Sequence, residues 1–168
     1  EEYDFVVDCR GYPEDYSDYI ISDKVYLDSA IAVRSYTPGD WEYTYHIAHK
    51  HGWMFGLPLQ SRTGWGYLYN SKLTSQLEAQ DDVARILEEY QVEFHSKDCR
   101  EFSFKNYYAK SVMNEDGNIF VNGNRALFLE PIQATSLGCY GLINEMILDR
   151  IENDLSLIHI SEPTRLEL

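Results

Sequence analysis

The sequence predicts a mixed α/β fold, α+β within this chain, rich in sheet and carrying two main helices. Three observations carry that expectation. Apolar and polar residues alternate with a period of two through "WEYTYHIA", and "GWGYLYN" puts Trp65, Tyr67 and Tyr69 on one face, as half-buried strands do. Helical spacing of apolar residues is clear in two stretches, Ala79 to Tyr90 and Ile143 to Ile151. Glycine and proline punctuate much of the remainder.

Taken in order, "YDFVVDC" reads as a short buried strand, ended by a turn at Gly11 and Pro13. "KVYLDSAIAVRSY" reads as a longer strand with Val25, Leu27, Ile31 and Val33 on one face, closed by the turn "TPGD". "WEYTYHIA" places Trp41, Tyr43, Tyr45 and Ile47 opposite Glu42, Thr44 and His46. "GWMFGLPL" and "GWGYLYN" are two further strands joined by "QSRT". Ser75 opens a helix, and Glu78 three residues later completes a capping box. "REFSF" is a strand, "NEDGN" a tight turn and "NIFVNGN" a strand ending at glycine. The last helix is expected from about Thr135 to Asn153.

Composition narrows the function. The chain has 168 residues, 44% of them hydrophobic, enough for a real core. Its formal net charge of -14 argues against nucleic acid, whose phosphates need a basic surface, and against an anionic membrane surface. No run approaches the ~18 apolar residues of a membrane span. Cys9, Cys99 and Cys139 fit no metal spacing and read as reduced thiols of a cytoplasmic protein. Residues 155–168, "LSLIHISEPTRLEL", break the helical pattern. They resemble translated read-through of a sequencing-library adapter and are set apart as a non-native tail.

Four constellations bear on chemistry. In "IFVNGNRALFLEPIQATSLG", a strand leads through Gly123 and Asn124 to the start of the last helix. Amides at a helix start lack intrahelical partners and favour an anion or a flavin oxygen. Gly138 and Gly141, inside that helix, each cost ~1 kcal/mol relative to alanine, so something is expected to pack closely there. Plain helix-on-sheet packing is the alternative. "HGWMFGLPLQSRTGWGYLY" sets flat rings beside flexible backbone, suiting either a planar ligand or an aromatic core. His49 and His51 can share a strand face, but no third ligand is evident, so no metal site is expected. "VDCRG" closes an apolar strand with an acid, a weak sign of a nucleotide nearby.

Together and in this order these segments resemble the flavin-dependent halogenases of the tryptophan halogenase family. "HGWMFGLPLQSRTGWGYLYNS" is similar to the family's "GWxWxIPL…R.G.GYVYS", with Phe55 for the second Trp and Leu57 for the Ile. "NGNRALFLEPIQATS" is similar to its "G-x-A-x-G-F-[IL]-E-P-L-E-S-T-[GS]". The resemblance implies part of an FAD-dependent monooxygenase-like fold over residues 1–154, with the Gly-rich FAD fingerprint and a catalytic lysine belonging to sequence before this region. It implies an oxidoreductase that takes reduced FAD from a separate flavin reductase, with oxygen and chloride or bromide. The hypohalous acid so formed travels to a lysine beside a small aromatic substrate, an indole or tryptophan-like ring.

Carried onto this sequence, Thr135 and Ser136 fall where the family binds halide through backbone amides. Asn124 and Leu137 fall at flavin contacts. Trp53, Phe55 and Pro58 fall beside the flavin. Gln133 stands at the family's active-site glutamate, and a neutral amide supplies no carboxylate there. As it stands, the region is expected to bind FAD weakly and not to turn over. A hydroxylase or other monooxygenase on the same scaffold, and a non-catalytic aromatic-binding module, remain the alternatives.

Overall fold

Strand pairing in the computed structural model, which describes residues 3–153, builds three sheets and two long helices. The chain divides into two compact units, one formed by Val25–Phe104 and one by the segments on either side of it.

The Val25–Phe104 unit is an antiparallel five-stranded sheet with one helix. In chain order, β1 (Val6–Asp8) and β2 (Tyr19–Ile21) precede this unit, and β3 (Ser29–Ser35) is its first strand. They are followed by β4 (Tyr45–Ala48), β5 (Gly52–Leu59), β6 (Arg62–Tyr69), α1 (Gln76–Glu89) and β7 (Cys99–Ser103). The sheet order is β4-β5-β6-β3-β7. The central register pairs Val33 with Trp65, Ile31 with Tyr67, and Met54 with Tyr67 across β5 and β6. One face thus presents Ile31, Val33, Met54, Trp65, Tyr67 and Tyr69, which bury against Ala79, Val83, Ile86 and Leu87 of α1. Each fully buried aliphatic side chain contributes about 1.5–3 kcal/mol. Ser75 caps α1 with the expected box: its hydroxyl accepts from the Glu78 amide, and the Glu78 carboxylate accepts from the Ser75 amide at 2.9 Å.

Two devices hold this layer. Gly56 faces α1, and the Trp65 ring lies where a Cβ would stand. On the opposite face Phe55 covers Gly66 in the same way. The second device is Asp82, 2% exposed within α1. Its Oδ2 accepts from the Tyr67 hydroxyl at 2.6 Å and from the His51 amide at 3.1 Å, and lies 2.9 Å from His49 Nδ1. Burial pushes its carboxyl up, but His49, Tyr67 and the His51 amide outweigh that and hold it below its ordinary value. Burial and then Asp82 push the Tyr67 phenol up.

The other unit contains β1, β2, β8 (Tyr107–Ala109), β9 (Ile119–Val121), β10 (Leu127–Phe128) and α2 (Thr135–Asn153). β1 pairs in parallel with β9, and β8 lies between β10 and β2. Phe120, Ala126 and Leu127 pack against Ile143 and Ile147 of α2. Tyr107 is fully buried, edge-on to Tyr12, Tyr16 and Tyr19.

Several expectations are corrected. β1 is not buried: Val6 and Val7 are 44% and 43% exposed, because the described residues pair it with β9 alone. Val25 and Leu27 precede β3, which starts at Ser29. Only Tyr45–Ala48 of "WEYTYHIA" is strand, since the register with β5 ends at Tyr45 opposite Gly56. Among the described residues nothing approaches the Cβ positions of Gly138 and Gly141, so no close packing there accounts for them. β2, β8 and β10 are too short to show a period. The tail assigned to residues 155–168 lies outside the described residues.

Asp82→Ala leaves a buried phenol and amide without their acceptor, and is expected to destabilise by about 2–4 kcal/mol in urea unfolding. Gln91 sits at φ 55 just past α1, where Val92 donates to Leu87 O at 2.8 Å, closing the helix with a left-handed residue that glycine suits better. Gln91→Gly is expected to stabilise by about 0.5 kcal/mol, read as a small rise in melting temperature.

Candidate functional site

The carboxyl ends of parallel strands gather polar backbone and loop side chains, and ligands of open α/β sheets bind there. Here Asp8 ends β1 opposite Val121 of β9, and its carbonyl accepts from the Asn122 amide at 3.1 Å. Asn122 is 4% exposed. Its Oδ1 accepts from the Gly123 amide at 2.7 Å, and its Nδ2 donates to Asn144 Oδ1 at 2.6 Å and to Tyr140 O at 3.2 Å. A 3-10 turn, Gly123–Arg125, follows, with Gly123 at φ +60 and open space where its Cβ would stand.

Asn124 is held at both ends. Its side-chain oxygen accepts from the Tyr140 hydroxyl at 2.6 Å, and its carbonyl accepts from the Tyr107 hydroxyl. Burial raises the pKa of both phenols, so they stay protonated donors. The sequence pointed to Asn124 but missed Asn122, Tyr107 and Tyr140, which fix it. Tyr140 and Asn144 stand one helical turn apart, a spacing that could have flagged them.

Asp8 is already paired. Arg10 donates to it through Nε at 2.9 Å and through Nη2 at 2.8 Å, and Arg125 Nε lies 3.3 Å away. The Arg10 hydrogen bonds outweigh desolvation and bring the carboxyl down to about 2.

The segment before α2 is strained. Gln133 and Ala134 both adopt φ 53, a left-handed conformation that costs non-glycine residues about 1–2 kcal/mol each. Thr135 then begins α2, its hydroxyl donating to Ile132 O at 3.0 Å. Ser136 accepts from the Leu129 amide at 3.1 Å through its hydroxyl. Side chains at 132–135 are exposed and Leu137 is 67% exposed. The unit thus brings Asn124, Gln133, Thr135, Ser136 and Leu137 onto one strand–turn–helix segment.

Trp53, Phe55 and Pro58 belong to the other unit. Trp53 and Phe55 share the face of β5 turned away from α1, with ring centroids 6.1 Å apart. Pro58 alternates to the α1 side and lines a hollow of about 410 Å³ with Trp41 and Tyr43. His49 is tied to Asp82, and no group of three or more His, Cys, Asp or Glu among the described residues is placed to hold a metal. No helix among them is long and apolar enough to cross a membrane.

The family model described as tryptophan halogenase matches residues 1–148. The chain belongs to the tryptophan halogenase family. Tryptophan 7-halogenase KtzQ of Kutzneria sp. (strain 744) is 28% identical, the match covering 80% of this chain and 26% of that protein. Tryptophan 7-halogenase RebH of Lentzea aerocolonigenes is 27% identical with the same coverage. Among solved structures, Xcc4156, a flavin-dependent halogenase from Xanthomonas campestris, is 26% identical and superposes with a TM-score of 0.70. That match covers 95% of this chain and 33% of Xcc4156. This member of the family therefore spans about a quarter of the length of the curated relatives it matches.

The folded Asp8 pKa, about 2, lies below its ordinary 3.8, so its stabilisation is present above pH ~4 and is lost as pH falls through about 2. Asp8→Asn is therefore expected to cost stability near neutral pH and progressively less on acidification. Urea unfolding at a series of pH values reads the convergence.

Proposed function

We propose that this chain is part of an FAD-dependent halogenase that acts on an electron-rich aromatic ring, in the cytoplasm, with reduced flavin supplied by a separate reductase. The observation that carries the reading is the Asn122–Leu137 segment, whose sequence follows the family motif and whose backbone is strained at Gln133 and Ala134 immediately before a helix start. Polar groups at the ends of β1 and β9 and the open space over Gly123 fit a flavin dinucleotide. Asn124 and Leu137 would hold FAD from this unit. Bound and reduced, FAD would supply the two electrons that bring oxygen to the level at which it can take two electrons from the halide.

The chain's own residues have simpler tasks. The amides of Thr135 and Ser136, at the positive end of the α2 dipole, would bind chloride or bromide. The Ser136 hydroxyl is engaged with Leu129, and the Thr135 amide closes a turn on Ile132 O, so a halide would draw that amide away from its turn bond. Tyr107 and Tyr140 keep Asn124 in place. Gln133 would stand near the reacting ring as a neutral group, offering a dipole and no charge.

The test gives the full-length enzyme FAD, a flavin reductase, NADH, bromide and indole. Brominated indole is the expected product; hydroxylated indole without bromination would overturn the proposal in favour of a monooxygenase. Gln133→Glu restores the carboxylate and is expected to raise kcat for bromination about tenfold with the bromide KM unchanged.

A further inference from the structure

The five-stranded sheet of the Val25–Phe104 unit has a second face, and its charge is the reverse of the chain's. Register and alternation place His46 of β4, Trp53, Phe55, Leu57 and Leu59 of β5, and Arg62, Gly64, Gly66 and Leu68 of β6 on the face away from α1. Ala30, Ala32 and Arg34 of β3 and Arg100 and Phe102 of β7 complete it. Three arginines stand on this face, and none of its strand positions carries a carboxylate, although the chain has 28 acidic and 14 basic residues. At the rim, Asp98 precedes β7 and accepts from the Tyr36 hydroxyl at 3.2 Å. Arg34, Arg62 and Arg100 are all exposed, and none forms an ion pair within 4 Å among the described residues.

The face also has a floor. Phe55 covers Gly66, but among the described residues nothing lies within 4 Å of the Cβ position of Gly64. Gly64 is flanked directly by Leu57 on β5 and by Arg34 on β3, with Arg62 two residues before it on the same strand. Leu57 and Arg34 are thus two strand spacings apart, about 10 Å. That leaves a notch with an apolar wall of Leu57 and Phe55 and a cationic wall of Arg34 and Arg62.

We propose that this notch binds a planar aromatic acid, its ring over Gly64 against Leu57 and Phe55 and its carboxylate between Arg34 and Arg62. Guanidinium groups suit a carboxylate because they present paired donors. A face without carboxylates offers an ammonium group no partner and two or three repelling charges. The site therefore selects an aromatic acid over the corresponding amino acid, amine or neutral ring. Only the description of this acid as a substrate rests on the halogenase reading; binding does not.

The test measures dissociation constants by calorimetry, without added cofactor, for indole-3-propionate, L-tryptophan, tryptamine and indole. Indole-3-propionate is expected to bind at least about tenfold more tightly than the other three, and Arg34→Gln and Arg62→Gln each to weaken it about tenfold. Gly64→Val suits a strand, fills open space and is expected to abolish binding while the melting temperature is retained. Arg34→Lys is expected to restore part of the affinity. L-Tryptophan or indole binding as tightly as the acid, unchanged affinity in Arg34→Gln, no binding of the acid, or FAD as the only ligand sensitive to these variants would each overturn the inference. Bromination of indole by the enzyme without acid binding sinks this inference and spares the halogenase reading. Acid binding without bromination of any ring does the reverse.

Discussion

One buried carboxylate joins the parts of the Val25–Phe104 unit that the rest of its architecture needs. Asp82 sits in α1, accepts from Tyr67 in the centre of the sheet, and accepts from the His51 amide in the turn that starts β5. Helix, central strand and turn are thereby held at one oxygen atom. A buried charge of this kind is costly to leave unpaired, so the groups around it are fixed in number and direction. The consequence for the site is positional. With its first turn tied to α1, β5 has one register against β6, and that register sends Met54 into the core and Trp53 and Phe55 to the other face. A slip of one residue would exchange those faces.

The paired rings and glycines follow from the same register. Trp65 lies over Gly56 on the α1 side, and Phe55 lies over Gly66 on the other. Each glycine is the space its cross-strand neighbour's ring occupies, so neither can gain a side chain without moving an aromatic group. Gly64 differs because no ring covers it. In the sequence all three read alike, as glycines in an aromatic strand region. Only the register separates two that serve packing from one that leaves a notch.

Much of the fold was legible because its signals are periodic or local. The capping box at Ser75 and Glu78, the Trp65–Tyr67–Tyr69 face and the start of α2 at Thr135 each depend on residues close in the chain. The missed strands β2, β8 and β10 have two or three residues each, and their existence depends on partners distant in sequence, such as Ile20 opposite Tyr108. The same limit applies at the site. Asn124 was found through a motif, whereas Asn122 and Tyr140 earn their places through hydrogen bonds across 16 to 22 residues. Asp8 of "VDCRG" does end its strand, but it is taken up by Arg10 and Arg125, one of them over a hundred residues away.

Each unit places its charge against the acidic average of the chain. In one, the neutral amide of Gln133 stands on strained backbone just before α2. In the other, the face bearing Trp53 and Phe55 carries arginines and no carboxylate on its strands. In a chain of net charge -14, negative charge is abundant, so its absence from the strands of that face is not a matter of supply. A ring held near such groups receives little help in stabilising positive charge as it reacts with an electrophile. An acidic side arm would anchor the ring without placing a second cation beside it. The arginine face by itself thus favours a ligand held through its own negative charge.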